Sequence, residues 1–387
     1  MTFLSTLIFL GIFGLILPSK SVVAVSVPSF DLPHRGCYFT NWAQYRTGNA
    51  KHTASDIDAS LCTYIMVAFG KIDGGQLAIR EWNDEATFAT LSKLRSANPK
   101  LKILLSIGGA TTSNRVADMA AAPAATQQAF AKSAVSQLRK WGLDGLDIDW
   151  EFPEAAQKVQ FVNLAKTLKN TFEKDAKQPR LLLTAAVQVT THKGYDGPAL
   201  NGLLDLVQVM AYDLYGAWSP SKTGHEAPLL KGPFGVEGDL SVASVMKSWV
   251  DLGFNKSKLV VGLPLYGRGW TVSGSSVGLG GAATSAMPAS KYTTEVGNWP
   301  YYEICEWIKQ KNAKVTFDNN IKASYAQAAG VWVGYDDKAT ITEKTKWAKA
   351  DGYAGVYVWD LAQDDFKNIC GEGKYPLLNA IKSVLKP

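Results

Sequence analysis

The chain has 387 residues, of which 47% are hydrophobic and 19% charged, too apolar and too varied a composition for a disordered or fibrous protein. Lys and Arg outnumber Asp and Glu by 40 to 34, a net charge of +6 spread along the chain without long runs of like sign, which argues against a nucleic-acid partner. The length suits two or three ordinary domains or one α/β barrel.

The N-terminus carries an apolar run from Phe3 to Leu17, broken only by Ser5, Thr6 and two glycines, and followed by Val22, Val23 and Ala24. This is the pattern of a secretory signal over residues 1–24, with the cut after Ala24. Helical residues rise about 1.5 Å each, so the 15 residues of the run fall short of a hydrocarbon core of about 30 Å. A secreted, extracellular product without a membrane partner is therefore expected.

Short runs rich in Val, Ile, Leu and Tyr begin near Cys37, Thr63, Lys102, Leu143, Leu181, Leu206, Leu259 and Tyr353. Stretches of helical spacing separate them, among them Thr126 to Trp141 and Glu154 to Lys174, and such alternation marks βα units with a parallel sheet. Eight runs predict an α/β fold of the TIM (β/α)₈ barrel type. The gap between the last two runs is much the longest. Within it, residues 269–333 open on a Gly/Ser-rich loop, continue in a helix over Tyr301 to Lys311 and end in strand-like Gly330 to Tyr335. A small α+β insertion between strands seven and eight, beside the barrel mouth, is the expectation. A last helix is predicted over Asn379 to Leu385, with residues 25–387 forming one catalytic unit.

An oxidising compartment favours pairing of the four cysteines, which permit three connectivities. Cys37 and Cys62 each stand before a strand, and neighbouring parallel strands would bring them together; Cys305 with Cys370 is then the second pair. The cysteines have no zinc spacing and His34, His52, His192 and His225 are scattered, so neither a metal nor a cofactor is expected. Asn255, Lys256 and Ser257 form a sequon, a candidate glycan site.

The most informative stretch is Leu143 to Pro153. Strand side chains alternate between faces, so Asp147, Asp149 and Glu151 point into the barrel while Leu146, Ile148 and Trp150 pack outward under helices. Acids stacked in a poorly solvated interior cannot all ionise, so some share protons. Glu151, nearest the carboxyl end of the strand, is the natural general acid, its proton retained by crowding from Asp149 and by partial burial. Asp149 would orient it, Asp147 would buffer Asp149 from below, and Asp144 at the start of the strand would fix the backbone.

The segment "LDGLDIDWEFP", with Asp144, Asp147, Asp149 and Glu151 at fixed spacing, resembles the signature of glycoside hydrolase family 18, the chitinases and chitinase-like proteins. "YFTNWAQYR" at 38–46, "SIGG" at 106–109, "MAYD" at 210–213, "GLPLYGR" at 262–268 and "YVWDLAQDDF" at 357–366 resemble the other strand ends of that family. The resemblance implies substrate-assisted catalysis, in which the 2-acetamido carbonyl of the sugar attacks its own anomeric carbon while Glu151 protonates the glycosidic oxygen. Asp149 would hold the acetamido N–H, Tyr212 the acetamido oxygen, and Asp213 a sugar hydroxyl or a neighbouring N-acetyl group.

Sugar rings stack on aromatic faces, and Trp359 resembles the tryptophan that floors the family's site. Tyr38, Trp42, Glu81, Trp82, Gly108, Gly109, Ala110, Thr111, Phe152, Met210, Tyr215, Trp218 and Arg268 are further substrate-binding candidates by position. Three residues depart from the commonest pattern: Ala110 where many chitinases have tryptophan, Phe152 where tyrosine is common, and Tyr357 where methionine is common. The resemblance implies a secreted, endo-acting chitinase whose partner is chitin or N-acetylglucosamine oligosaccharides, monomeric and without a cysteine-rich chitin-binding module. The competing reading is a carbohydrate-binding lectin or signalling protein; such relatives typically replace the acid at the position of Glu151, which is intact here.

Overall fold

The structure is a computed structural model that describes residues 33–190, 193–232, 240–274 and 277–386; the expected signal over 1–24 lies outside them. Eight strands are the framework: β1 (His34–Thr40), β2 (Tyr64–Asp73), β3 (Lys102–Gly108), β4 (Gly145–Asp149), β5 (Leu182–Val187), β6 (Leu206–Val209), β7 (Leu259–Pro264) and β8 (Gly355–Trp359). Their near-continuous apolar runs suit strands covered on both faces. Each pairs in parallel with the next, and β1 pairs with both β2 and β8, which closes the barrel. The predicted (β/α)₈ architecture is the one observed.

The outer helices follow their spacing. Ala124–Lys140 buries Phe130, Ala131, Ala134 and Leu138, and Lys158–Glu173 buries Phe161, Leu164, Ala165, Leu168 and Phe172, each an i, i+3, i+4 stripe. Beneath them lie the outward residues of β4, Leu146, Ile148 and Trp150, with Trp150 edge-on to Phe161 at 5.6 Å. The final helix begins earlier than predicted, at Pro376, because proline at the first helical position loses only an N–H that would be unpaired there anyway. Among the described residues no helix is long and apolar enough to cross a membrane.

A second, antiparallel sheet fills the long interval between β7 and β8. Its strand Tyr266–Thr271 pairs with Val331–Tyr335, which leads through Ala323–Ala328 to Lys314–Asp318, and the helix Tyr301–Lys311 lies within the same interval. The sheet begins three residues before the expected boundary at 269 and ends two after 333, because Tyr266 and Gly267 already pair with Pro300, Trp299 and Tyr335. Both expected disulfides are present: Cys37–Cys62 (Cα–Cα 6.0 Å) joins the first two strand starts, and Cys305–Cys370 (5.7 Å) ties the inserted helix to the chain after β8. Asp365 lies beside Cys305 and Cys370, but the two sulfurs bind each other and the carboxylate accepts the amides of Ile369 and Cys370.

Candidate active site

The register of β3, β4 and β5 sets Ser106, Asp147 and Thr184 side by side inside the barrel. Asp147 has no exposure, and three hydroxyls donate to it, from Tyr38 (2.7 Å), Ser106 (2.7 Å) and Thr184 (2.6 Å). Burial lifts its pKa and the three hydroxyls pull it back, leaving a net rise. Asp149, one pleat above, is also buried. Its Oδ1 has no hydrogen-bond partner among the described residues, and burial, then Glu151, then Asp147 hold its carboxyl well above the usual range.

Glu151 follows the end of β4 and is half-buried. Its amide donates to Ser113 Oγ at 2.7 Å, which fixes the backbone where the side chain leaves the strand. Burial first, then the charge of Asp213, push its pKa up to about 7, against a hydrogen bond from the Ala110 backbone. The sequence placed the crowding charge on Asp149. The repulsion between Asp149 and Glu151 is present, raising Asp149, and Asp213, a residue 62 positions later in the sequence, adds a second charge that raises Glu151.

Asp213 itself is engaged. Tyr266 Oη (2.7 Å) and Arg268 Nε (2.5 Å) donate to Oδ1, and Arg268 Nη2 (2.7 Å) donates to Oδ2. Asp213, expected to receive a sugar hydroxyl or a neighbouring N-acetyl group, is clamped bidentately, as arginine forks clamp carboxylates. The guanidinium also lies over Trp218 at 5.0 Å and Tyr266 at 5.6 Å. Tyr212, at the end of β6, is buried with its hydroxyl 3.0 Å from that of Tyr357. The tyrosine that departs from the family pattern at 357 thus acts directly on the predicted catalytic Tyr212.

Trp359 is half-buried at the end of β8, against Tyr38 (5.0 Å between ring centres), Trp42 (6.2 Å) and Phe69 (6.3 Å), and Trp42 stacks on Phe69 at 5.9 Å. Phe69 escaped sequence reasoning because it sits inside an apolar strand run that looks like core. Three of the other aromatic candidates are open to solvent: Trp82 is 81% exposed, Trp218 58% and Phe152 40%. Ala110 and Thr111 are exposed, and Met210 is half-buried.

Five of the substrate-binding candidates also have structural roles. Tyr38 is only 1% exposed and serves Asp147 from below. Gly108 and Gly109 have φ of +109° and +75°; an added Cβ would meet the Asp149 carbonyl and the Phe69 ring, so both are glycine for backbone reasons. Tyr215 packs against the small core of the insertion around Trp270, Val272 and Trp332. Glu81 accepts the hydroxyl of Tyr45 at 2.6 Å. Asp144 does what was expected, accepting the Ile103 amide (2.8 Å) and Arg95 (2.5 Å).

Beyond Glu151 an open depression of about 760 Å³ is lined by Phe152, Pro153, Glu154, Ala155, Gln188, Thr190 and Lys193. Gln188 directly follows β5, and its side-chain amide has no partner among the described residues. It is a candidate polar contact that the sequence gave no reason to select, since a single glutamine after a strand has no pattern.

Residues 34–364 match the family described as Glycosyl hydrolases family 18. An endochitinase of Brugia malayi is 38% identical over 368 residues, which are 91% of this chain and 73% of that protein. Among solved structures, an immunomodulatory active chitinase from Trichuris suis superposes with a TM-score of 0.86 at 37% identity, over 91% of this chain and 99% of that one. Human YKL-39, a pseudo-chitinase with retained chitooligosaccharide binding properties, superposes equally well, with a TM-score of 0.86 at 32% identity over 91% of this chain and 99% of that one.

Proposed function

The chain belongs to glycosyl hydrolase family 18, and from that premise we propose that it is a secreted, endo-acting chitinase, hydrolysing β-1,4 bonds between N-acetylglucosamine units with Glu151 as proton donor. The observation that carries this reading is the acid pair at the end of β4. Glu151 holds its proton up to about pH 7 beside a buried Asp149 whose Oδ1 has no partner among the described residues, so a proton donor and an unused acceptor stand together.

In the proposed reaction Glu151 gives its proton to the glycosidic oxygen as the bond to the anomeric carbon breaks. The 2-acetamido oxygen of the same sugar closes onto that carbon, Asp149 accepts the acetamido N–H, and Tyr212 donates to the acetamido oxygen. Glu151, now a carboxylate, takes a proton from the water that opens the oxazolinium ring, which returns the original anomeric configuration. No second protein carboxylate attacks carbon, so the separation rule for carboxylate pairs does not apply. Trp359 would floor the site. The two disulfides support an oxidising compartment.

A second reading, binding without turnover, draws support from the equal fit of a pseudo-chitinase and from the departures at Ala110, Phe152 and Tyr357. The experiment that separates the two measures product release from an N-acetylglucosamine tetramer by the chain and by Glu151→Gln, with binding followed in parallel. Cleavage by the parent alone and binding by both is the expected result. Binding by both with cleavage by neither would make the protein a lectin that has kept its acids.

A further inference from the structure

Gln188 stands one residue past the end of β5, and the register of that strand decides where its side chain goes. Asp147 lies opposite Thr184, and Asp149 opposite Ala186. Thr184 faces inward, since its hydroxyl donates to Asp147, and strand side chains alternate, so Ala186 and Gln188 share the inward face. Continued by one pleat, the same register sets Gln188 level with Glu151. The backbone is pinned on both sides of this position. The Met210 amide donates to the Val187 carbonyl at 2.9 Å, and Nε1 of the fully buried Trp249 donates to the Gln188 carbonyl at 3.1 Å.

The side chain held there is 7% exposed, and Nε2 of its carboxamide has no hydrogen-bond partner among the described residues. A buried donor left without an acceptor costs free energy, a cost that a hydrocarbon side chain of the same size would avoid. Gln188 lines the open depression of about 760 Å³ together with Phe152, Pro153, Glu154 and Ala155, the four residues that follow Glu151. Among the described residues Asp149 is not part of its wall. In the proposed reaction the sugar that keeps the anomeric carbon is the one whose acetamido group meets Asp149. The sugar that leaves with the protonated oxygen therefore extends past Glu151 into this depression.

We propose that Gln188 selects the leaving sugar, its carboxamide pairing with the 2-acetamido group of that unit in the depression that Phe152 walls with its ring. A carboxamide offers donors at nitrogen and an acceptor at oxygen, and an acetamido group offers the complement, one N–H and one carbonyl. The terminal torsion of glutamine is broad and roughly two-fold, so either end of the amide can face the sugar without disturbing the pinned backbone. A sugar with a free ammonium at the 2-position supplies no acceptor there, and the buried donor stays unpaired in its complex. Sites built on such donors discriminate against the analogue that lacks the partner. That the unit is a leaving sugar rests on the proposed function; the contact itself holds for a lectin as well.

The test compares the parent with Gln188→Leu, which keeps the size and removes the amide, and with Gln188→Ala as a second variant should leucine disturb the packing. Partially deacetylated chitosan is digested, and the sugars at the new non-reducing ends, which are the former leaving units, are identified by mass spectrometry. With the parent the odds of N-acetylglucosamine over glucosamine at these ends exceed those in the polymer about fivefold, the scale of one hydrogen bond, and in both variants they fall to about the polymer's own. In parallel, kcat/KM is measured for the N-acetylglucosamine tetramer and for an aryl glycoside of the dimer, whose leaving group is not a sugar. The ratio of tetramer to aryl glycoside falls about fivefold in Gln188→Leu. Equal losses on both substrates would reduce Gln188 to a structural role, and end-group odds unchanged by the substitutions would overturn the pairing. If the parent cleaves neither substrate, the chitinase reading fails and calorimetry decides the contact. Weaker tetramer binding by Gln188→Leu than by the parent then supports it, and equal affinity, or no binding by either, overturns it.

Discussion

Asp213→Asn isolates how the site keeps a proton on Glu151. Glu151 sits at about 7 against an ordinary value of 4.5, with burial as the larger cause and Asp213 the second. Asp213 is the smaller of the two raising causes, and a hydrogen bond from the Ala110 backbone works against both. Removing its charge lowers the Glu151 pKa by about one unit, equivalent to about 1.4 kcal/mol between the two protonation states. The unclamped Arg268 acts in the same direction, because a cation left without its carboxylate favours the ionised form of a neighbouring acid. Glu151 must be protonated to act, so the alkaline limb of kcat/KM follows its pKa. In Asp213→Asn that limb moves from about pH 7 to about pH 6, read from initial rates of tetramer cleavage across the pH range. The position of the limb is diagnostic and the height of the profile is not, since a disturbed Arg268 lowers rates at every pH. A limb unmoved at about pH 7 would refute the assignment and leave burial alone as the cause.

Asp149→Asn is expected to reduce turnover by about 10²-fold or more, because the acetamido N–H loses its carboxyl acceptor, with tetramer binding nearly retained; steady-state kinetics with calorimetry checks both. Trp359→Ala should weaken tetramer binding by about 1–3 kcal/mol, the scale of a large side chain leaving an apolar contact, and an unchanged affinity would reduce Trp359 to a packing role against Tyr38, Trp42 and Phe69. Tyr357→Phe removes the hydroxyl that lies 3.0 Å from that of Tyr212; about 1 kcal/mol of stability should be lost in denaturant melts, together with a fall in kcat larger than any change in KM. Cys370→Ser opens the 65-residue separation closed by the second disulfide and should cost about 2–4 kcal/mol in the same melts.

The parts of the site that could be read from the sequence share one property, a repeat whose period is fixed by local geometry. Asp147, Asp149 and Glu151 alternate with Leu146, Ile148 and Trp150 because a strand has period two, and that period alone put the acids inside the barrel. Eight apolar runs spaced by helical segments specified closure, and the expected neighbours β1 and β2 paired Cys37 with Cys62. The misplaced residues depend on where a distant segment returns. Tyr266 and Arg268 meet Asp213 across 53 and 55 positions, and Tyr357 meets Tyr212 across 145. Those contacts require β7 to pass straight into the inserted sheet at Tyr266, a turn that no periodicity announces. Phe69 was passed over because it is hidden in an apolar run.

The insertion therefore does more than wall the cleft. Its first strand supplies Tyr266 and Arg268, which hold Asp213, and Asp213 in turn raises Glu151 across the mouth of the barrel. A barrel strand can align acids, but it cannot by itself decide which of them stays protonated, because stacked carboxyls of one strand share nearly the same surroundings. Asymmetry has to come from outside the row. Here it enters from one side as three hydroxyls on Asp147 and from the other as a clamped carboxylate near Glu151, which separates the lowest acid of the row from the highest. Loosening the inserted sheet without touching β4, as Tyr266→Phe would do by removing one donor from Asp213, should accordingly shift the pH profile of cleavage while leaving the melting of the barrel nearly unchanged. A profile that stays in place would mean that Arg268 alone suffices to hold Asp213.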